Sequence, residues 1–192
     1  MTPRRLRLSA LVLVTFAAAA HASADRLIVS VADQELAVLD RGKTIARYPI
    51  STSKFGVGDG VGAYRTPLRL MYVSAKLGDR LPLGAAIKSR VPTGEVVAPN
   101  TPGRDTIVSR VLWLRGKEDQ NRNARDRCIY IHGTAEEKRI GKPVSFGCIR
   151  MKSKDVIDLY SRVHIGTPVV ISEKRITQFL PPEEETLLAR PY

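Results

Sequence analysis

Residues 144–151, VSFGCIRM, contain a cysteine that follows a glycine and precedes an arginine by two positions. A cysteine nucleophile needs a base that converts the thiol to a thiolate, and histidine is the usual one. The chain has three histidines, His21, His132 and His164. His132 closes the apolar run CIYIHG, and a strand end can meet the turn around Cys148 at one edge of a sheet. His132 and Cys148 are therefore the candidate base and nucleophile.

The backbone around the cysteine could also stabilise negative charge. The amides of Gly147 and Cys148 lie just before a predicted helix. Backbone N–H groups placed in this way can form an oxyanion hole for a tetrahedral intermediate. Gly147 is therefore the candidate oxyanion residue.

A zinc site and a disulfide bond are the rival uses of the two cysteines. Cys128 and His132 are four residues apart on a predicted strand, about 13 Å at 3.3 Å per residue, which is too far to share one ion. No metal ligand and no cofactor is therefore predicted. A disulfide needs Cα atoms within about 7 Å. If His132 lies beside Cys148, Cys128 is expected one strand length away, as a small core side chain.

The elements that must position these residues are mainly strands. Runs rich in β-branched residues predict strands at 27–31, 35–40, 44–51, 106–114, 128–133 and 167–172. Residues 74–105 carry many glycines and prolines and are expected to form a long irregular excursion. The stretch KFGVGDGVGAYRTP lacks a following Gly-Lys-Ser/Thr, so it predicts a surface loop rather than a phosphate site.

One helix is predicted, over residues 153–163. Its apolar residues recur at the helical period, Ser153 is the expected N-cap, and Asp155 lies in the first turn. His164 follows the last turn, where a basic side chain interacts favourably with the helix dipole.

The first 24 residues have the layout of a secretory signal peptide. Three arginines precede an apolar run, and Ala22-Ser23-Ala24 is a small-x-small cleavage site. Removing this segment lowers the net charge from +12 to +9, because it holds Arg4, Arg5 and Arg7 and no acid. We expect an exported periplasmic or cell-envelope protein without an integral membrane segment after cleavage. Its basic surface suits anionic wall polymers, and export with 6% aromatic residues argues against nucleic acid.

The segment IYIHGTAEEKRIGKPVSFGCIRM resembles the signature of the L,D-transpeptidase (YkuD) catalytic domain family. The His132-Gly133-Thr134 motif is complete, and the cysteine motif matches at Ser145, Gly147, Cys148, Ile149 and Arg150. The opening strands, the Thr66-Pro67 turn and the GTPVVI strand are similar as well. The resemblance implies a mainly β fold, a sandwich or open barrel of mixed sheets with one short helix after the cysteine motif. It covers a domain at residues 25–173 and leaves 174–192 as a tail.

The resemblance also implies an activity and a set of partners. Cys148 would attack the carbonyl of the third residue of a peptidoglycan stem tetrapeptide, with His132 as base and the Gly147-Cys148 amides holding the oxyanion. An amine acceptor, from another stem or a lipoprotein lysine, or else water, would resolve the thioester. Substrate-binding roles would fall to the other motif residues, which are Gly133, Thr134, Ser145, Phe146 and Arg150. Arg150 could equally brace a loop, and Ser145 and Thr134 could shape the loops by hydrogen bonding.

Two departures from the family pattern keep alternatives open. Phe146 stands where the family usually has a second histidine, and Arg69 stands where a glycine commonly follows Thr-Pro-x. Phenylalanine cannot titrate or donate a hydrogen bond. The alternatives are a hydrolase on the same scaffold, acting as an L,D-carboxypeptidase or an amidase at a wall peptide link, and a non-catalytic peptidoglycan-binding relative.

Overall fold

A computed structural model describes residues 23–180. It contains ten strands and one α-helix within that range. In chain order the strands are β1 Arg26–Ser30, β2 Glu35–Asp40, β3 Lys43–Pro49, β4 Arg69–Leu77, β5 Ala85–Lys88, β6 Val91–Val96, β7 Ile107–Gly116, β8 Tyr130–Thr134, β9 Ile149–Met151 and β10 Pro168–Ser172, and α1 is Ser153–Arg162. Short 3-10 helices occupy Asp119–Asn121, Glu137–Arg139 and Ile176–Phe179.

All ten strands belong to one mixed sheet that stays open. The main path runs β3-β2-β1-β10-β4-β7-β5-β6, and β8 branches from β7 and pairs with β9. The β1–β10 and β8–β9 pairs are parallel, and the other pairs are antiparallel. The mainly β fold with one helix after the cysteine motif is therefore confirmed.

The main core lies on one side of this sheet, under α1. Alternation along β1 shows how it is built, since Leu27 and Val29 join the main core and Ile28 joins a smaller cluster on the opposite side. Val156 and Leu159 carry the apolar face of α1 into the same main core. Because α1 packs on β7 and β8, it supports the strand that carries His132.

The predicted helix is confirmed, but its predicted N-cap is wrong. Lys152 is the N-cap and Ser153 is already the first helical residue. The Ser153 N–H donates to Glu137 Oε1 at 2.8 Å, so a carboxylate from a distant turn satisfies the orphan donor. His164 lies two residues past Arg162, the last helical residue, and its N–H donates to Thr167 Oγ1.

The predicted irregular excursion over residues 74–105 is wrong in part. The central strand β4 continues to Leu77, and β5 and β6 form a hairpin within the segment. Every residue of β6 is exposed, so the strand has no apolar alternation that a sequence pattern could reveal. In β4 the buried Met71 and Val73 alternate with the half-buried Leu70, Tyr72 and Ser74.

The termini bear on the predicted domain boundaries. Most of the predicted signal peptide, residues 1–22, lies outside the described residues, as do residues 181–192 of the tail. The described start of the tail packs on the sheet, where Ile176 and Leu180 join Ile28, Ala37 and Leu39. None of the helices in residues 23–180 is long and apolar enough to cross a membrane.

Candidate active site

The parallel pairing of β8 with β9 brings the two sequence motifs together. His132 pairs with Arg150, and Ile131 with Ile149. Cys148 therefore lies beside Tyr130, and it shares one face of the sheet with His132 and Arg150 because side chains alternate along a strand. His132 and Cys148 are thus diagonal neighbours, as the sequence predicts for a base and its nucleophile.

The Cys148 thiol is held by backbone groups. The Tyr130 N–H donates to Cys148 Sγ at 3.4 Å, and the thiol donates to the Cys128 carbonyl at 3.4 Å. Burial raises the thiol pKa to about 11, and the Tyr130 N–H opposes this only in part. The thiol is therefore protonated at neutral pH.

The His132 imidazole is buried and neutral. Burial lowers its pKa to about 4, opposed by the hydrogen bond to the Gly133 carbonyl and reinforced by the charge of Arg150. The Nδ1 atom lies 2.8 Å from the Gly133 carbonyl, which can only accept, so Nδ1 carries the proton. Nε2 is consequently left with a lone pair, as a general base requires.

The two candidate groups do not yet form a hydrogen bond. Within residues 23–180, no hydrogen bond joins the Cys148 thiol to His132. Both groups are neutral near pH 7, given pKa values of about 11 and about 4. The structure therefore shows a resting pair, and catalytic hydrogen bonds commonly tighten only in the substrate complex.

Arg150 forms ion pairs with two carboxylates. Its Nη2 lies 2.8 Å from Asp105 Oδ2 and its Nη1 lies 3.2 Å from Glu136 Oε2. The Arg150 side chain is only 8% exposed. These contacts favour a structural role for Arg150 over substrate binding, because they connect β9 to the loops before β7 and after β8.

Ser145 and Thr66 fix the loop that carries the nucleophile. Ser145 Oγ donates to the Cys148 carbonyl at 2.6 Å and accepts the Gly147 N–H at 3.2 Å. Thr66 Oγ1 donates to the Gly147 carbonyl at 3.0 Å. The Gly147 N–H is thus occupied in this conformation, which leaves the Cys148 N–H as the better oxyanion donor.

Gly133 and Thr134 have structural contacts at the end of β8. A Cβ on Gly133 would clash with the Val108 carbonyl of the neighbouring strand, so only glycine fits. Thr134 Oγ1 accepts the Glu136 N–H at 3.1 Å and so shapes the turn after the strand. Both residues are buried.

Phe146 belongs to an exposed aromatic cluster, which we define as Phe55, Tyr64 and Phe146. Their ring centroids lie 5.7–6.2 Å apart, and Phe146 remains 51% exposed. The Lys54 ammonium lies 4.5 Å from the Phe146 centroid. Phe146 and Tyr64 also line a cavity of about 300 Å³ with Ile129, Asn123, Asp126 and Arg127.

The predicted separation of the two cysteines is wrong. The Cys128 carbonyl contacts the Cys148 thiol at 3.4 Å, so the residues are neighbours. Cys128 lies before β8 with a left-handed φ of 55°, and the chain there turns instead of extending by a strand length. Cys128 is only partly buried, and both cysteines are free thiols.

Several residues at the site were missed by sequence reasoning. Asp105 and Glu136 lie in loops and meet Arg150 only through the fold. Phe55 and Tyr64 gave a weak signal, as aromatic residues within a glycine-rich loop. Residues 23–180 contain no group of three or more His, Cys, Asp and Glu side chains that could hold a metal ion.

Comparison with known proteins identifies the family. The sequence profile of the L,D-transpeptidase catalytic domain (YkuD) matches residues 24–171, more than half of the chain. The chain belongs to this L,D-transpeptidase family. Both motif halves, with His132 and Cys148, lie inside the matched segment.

Two putative L,D-transpeptidases named YkuD are similar in sequence. The Bacillus subtilis protein is 60% identical over 86 residues, which cover 45% of this chain and 48% of that protein. The Bacillus licheniformis protein is 27% identical over 147 residues, covering 77% of this chain and 65% of that protein. The chain thus matches about half to two thirds of the length of these L,D-transpeptidases.

Solved L,D-transpeptidases share the fold. An enzyme from Mycobacterium smegmatis matches with a TM-score of 0.50 and 17% identity, covering 76% of this chain and 57% of its own. L,D-transpeptidase 3 from Mycobacterium tuberculosis, in complex with a faropenem-derived adduct, matches with a TM-score of 0.50 and 18% identity, covering 77% and 59%. At these identities the likeness concerns the L,D-transpeptidase fold alone.

Proposed function

We propose that this protein is an exported cysteine L,D-transpeptidase that acts on peptidoglycan stem peptides through a thioester. The observation that carries the proposal is the placement of His132 beside Cys148 on β8 and β9, with Nδ1 held by the Gly133 carbonyl. The predicted signal peptide at residues 1–24 supports a location in the periplasm or cell envelope. No cofactor is needed for this chemistry.

In the first half-reaction the stem tetrapeptide is the donor. Cys148 Sγ attacks the carbonyl carbon of the third residue while its proton passes to His132 Nε2. The developing oxyanion is held by the Cys148 N–H. When the C–N bond breaks, the proton on His132 moves to the leaving amine, and terminal D-Ala departs. A thioester between the third residue and Cys148 remains.

In the second half-reaction an amine acceptor attacks the thioester. The acceptor nitrogen gives a proton to His132, the C–S bond breaks, and the thiolate recovers that proton. His132 and Cys148 are both neutral at pH 7, with pKa values of about 4 and about 11. Proton transfer is coupled to attack instead of preceding it.

Incubation with a stem tetrapeptide tests this proposal directly. With an added amine, mass spectrometry should detect released D-Ala and an amide between the tripeptide and the amine, and Cys148→Ala should form neither. Release of free tripeptide alone would indicate the hydrolase alternative. Absence of both products, with the protein folded, would indicate the non-catalytic binding alternative.

A further inference from the structure

Arg90 lies at the turn of the β5–β6 hairpin and contacts residues beside the nucleophile. Ser89 and Arg90 form this turn with left-handed φ values of 50° and 68°, the conformation of a two-residue hairpin turn. The Arg90 Cζ atom lies 5.1 Å from the centroid of a Trp113 ring, and Nη1 lies 3.8 Å from Cys128 Sγ. The turn therefore holds the guanidinium against the strands that carry the site.

These contacts lie on the face of the sheet that carries the thiol. Cys128 and Cys148 pack in one cluster with Tyr130 and Trp113, whereas the alternate residues of β7 and β8 join the main core on the other face. The Tyr130 and Trp113 rings meet edge to face, with centroids 5.7 Å apart. Burial raises the pKa of Tyr130 to about 12, and a hydrogen bond with Arg90 opposes this in part. Arg90 is thus a neighbour of the residues around Cys148.

The charge of Arg90 differs from that of two other arginines near the cysteine motif. Arg127 pairs with Asp59, and Arg150 pairs with two carboxylates. Arg90 is exposed, and no carboxylate within residues 23–180 forms an ion pair with it. A guanidinium has five N–H donors in a fork that matches the two oxygens of a carboxylate. Arg90 therefore has both the charge and the free donors to bind a carboxylate of a ligand.

The separation between Arg90 and the thiol matches one residue of a peptide. Cys128 alone connects them, because its Sγ lies 3.8 Å from Arg90 Nη1 and its carbonyl oxygen lies 3.4 Å from Cys148 Sγ. In the proposed reaction the attacked carbonyl and the terminal carboxylate of the donor are also one residue apart, which spans about 3.5 Å. A donor whose carbonyl lies at Cys148 can therefore place its terminal carboxylate near Arg90.

We propose that Arg90 binds the terminal carboxylate of the donor peptide and so determines which donors are used. This inference rests on the proposed function, in which the terminal D-Ala is the leaving group. The ion pair forms before Cys148 attacks and places the peptide bond to D-Ala at the thiol. The protein accordingly favours donors that end in a free carboxylate one residue beyond the attacked carbonyl.

The kinetic test compares two donors that differ only at the end of the peptide. One is a stem tetrapeptide that ends in D-alanine, and the other is the same peptide ending in D-alaninamide, which carries no negative charge there. For acylation of Cys148, kcat/KM of wild type should be at least about tenfold higher with the acid, as expected for a charge-assisted hydrogen bond. Because the carboxylate does not itself react, the difference should lie in KM.

Variants of Arg90 test whether this residue causes the preference. Arg90→Met should raise KM for the acid about tenfold and leave the amide unchanged, and Arg90→Lys should keep part of the preference. Arg41→Met is the matched control, since Arg41 is an exposed arginine with a left-handed φ of 49° in the turn of the β2–β3 hairpin. It should react like wild type. If Arg90→Met keeps the wild-type preference, or slows both donors equally, the assignment is wrong.

A binding measurement separates this inference from the proposed function. In calorimetry, Cys148→Ala should bind the acid at least about tenfold more tightly than the amide, and adding Arg90→Met should remove the difference. Equal binding of the two peptides to Cys148→Ala would overturn the inference. If the acid binds through Arg90 but wild type forms no thioester, the proposed function fails and the carboxylate site stands. If the thioester forms and Arg90→Met keeps the preference, the carboxylate site fails and the proposed function stands.

Discussion

Two regions meet at Cys148, and they are built differently. The β8–β9 region is buried and fixed by strand pairing, with His132 5% and Arg150 7% exposed. The opposing region, residues 53–66 with Phe146, is a glycine-rich loop that presents Phe55 and Tyr64 to solvent at 46% and 58% exposure. The first region keeps the family's motif residues, and the second carries the Phe146 departure. The comparison shows that strand pairing buries and fixes the candidate catalytic residues, whereas the loop beside them exposes its aromatic side chains.

The largest expected effect concerns the base in the β8–β9 region. His132→Asn should slow acylation of Cys148 about a thousandfold, since a positioned general base contributes roughly 10²–10⁴ in rate. The measurement is the rate at which the acyl adduct on Cys148 forms, followed by mass spectrometry of samples quenched at successive times. His164→Asn changes the exposed histidine and should react at the wild-type rate. An unimpaired His132→Asn would mean that another group takes the thiol proton.

The two regions should also differ in their tolerance of a methyl group. Gly133→Ala in β8 forces a Cβ into the Val108 carbonyl, and we expect a loss of about 3 kcal/mol or more in unfolding free energy. In Gly60→Ala in the loop, the added Cβ meets only Ala63 Cβ, at 3.5 Å. This substitution should change the unfolding free energy by less than about 0.5 kcal/mol. Urea denaturation of both variants measures the contrast. Similar losses of unfolding free energy in the two variants would show that Gly133 in the sheet is not packed more tightly than Gly60 in the loop.

Burial of His132 should make stability depend on pH in a defined window. The folded pKa of about 4 lies below the unfolded value of 6.5, so the unfolded state binds more protons between them. Stability is therefore present above pH 6.5 and is lost as pH falls towards 4, by about 2–3 kcal/mol at pH 4.5. Urea denaturation from pH 7 to pH 4.5 should show this loss in wild type and in His164→Asn. His132→Asn should lack this loss of unfolding free energy between pH 7 and pH 4.5. If the unfolding free energy falls equally with pH in all three proteins, His132 is not a buried neutral imidazole.

The smallest expected effect lies just beyond the loop region, at Arg69. Its φ of 74° is a left-handed conformation that favours glycine, which gives a physical reason for the glycine common at this position in the family. Arg69→Gly should stabilise the protein by about 0.5–1 kcal/mol, because relief of strain exceeds the added unfolded-state entropy. Arg69→Ala removes the same side chain but leaves a non-glycine residue in the left-handed conformation. Thermal denaturation should therefore show no gain in stability for this variant. A gain in Arg69→Ala would assign the effect to the side chain instead.

Sequence patterns predicted the strands that consist of apolar, β-branched runs and the helix whose apolar residues recur at the helical period. The strands β1–β3, β7, β8 and β10 coincide with runs rich in β-branched residues, and the helix follows apolar periodicity, so these elements were found. The strand β6 could not be found, because its six residues are all exposed and hold no pattern. The strand β4 was missed although Met71 and Val73 alternate, because the neighbouring glycines and prolines suggested a loop.

The candidate site was predictable where it depends on local motifs. Cys148 and His132 follow from their residue types and from the strand that carries His132. The partners of Arg150 were not predictable, since Asp105 and Glu136 are brought to it by two separate loops, one before β7 and one after β8. The contact between Cys128 and the Cys148 thiol depends on one left-handed residue, which no periodicity reveals.

The most direct test of the central claim is the intact mass of the purified protein after exposure to a carbapenem. If Cys148 is a nucleophile activated by His132 in spite of Phe146, wild type should gain the mass of one drug molecule. Cys148→Ala should gain none, and Cys128→Ala should react like wild type. A folded wild-type protein that gains no adduct across drug concentration and pH, or an adduct that persists in Cys148→Ala, would contradict the account.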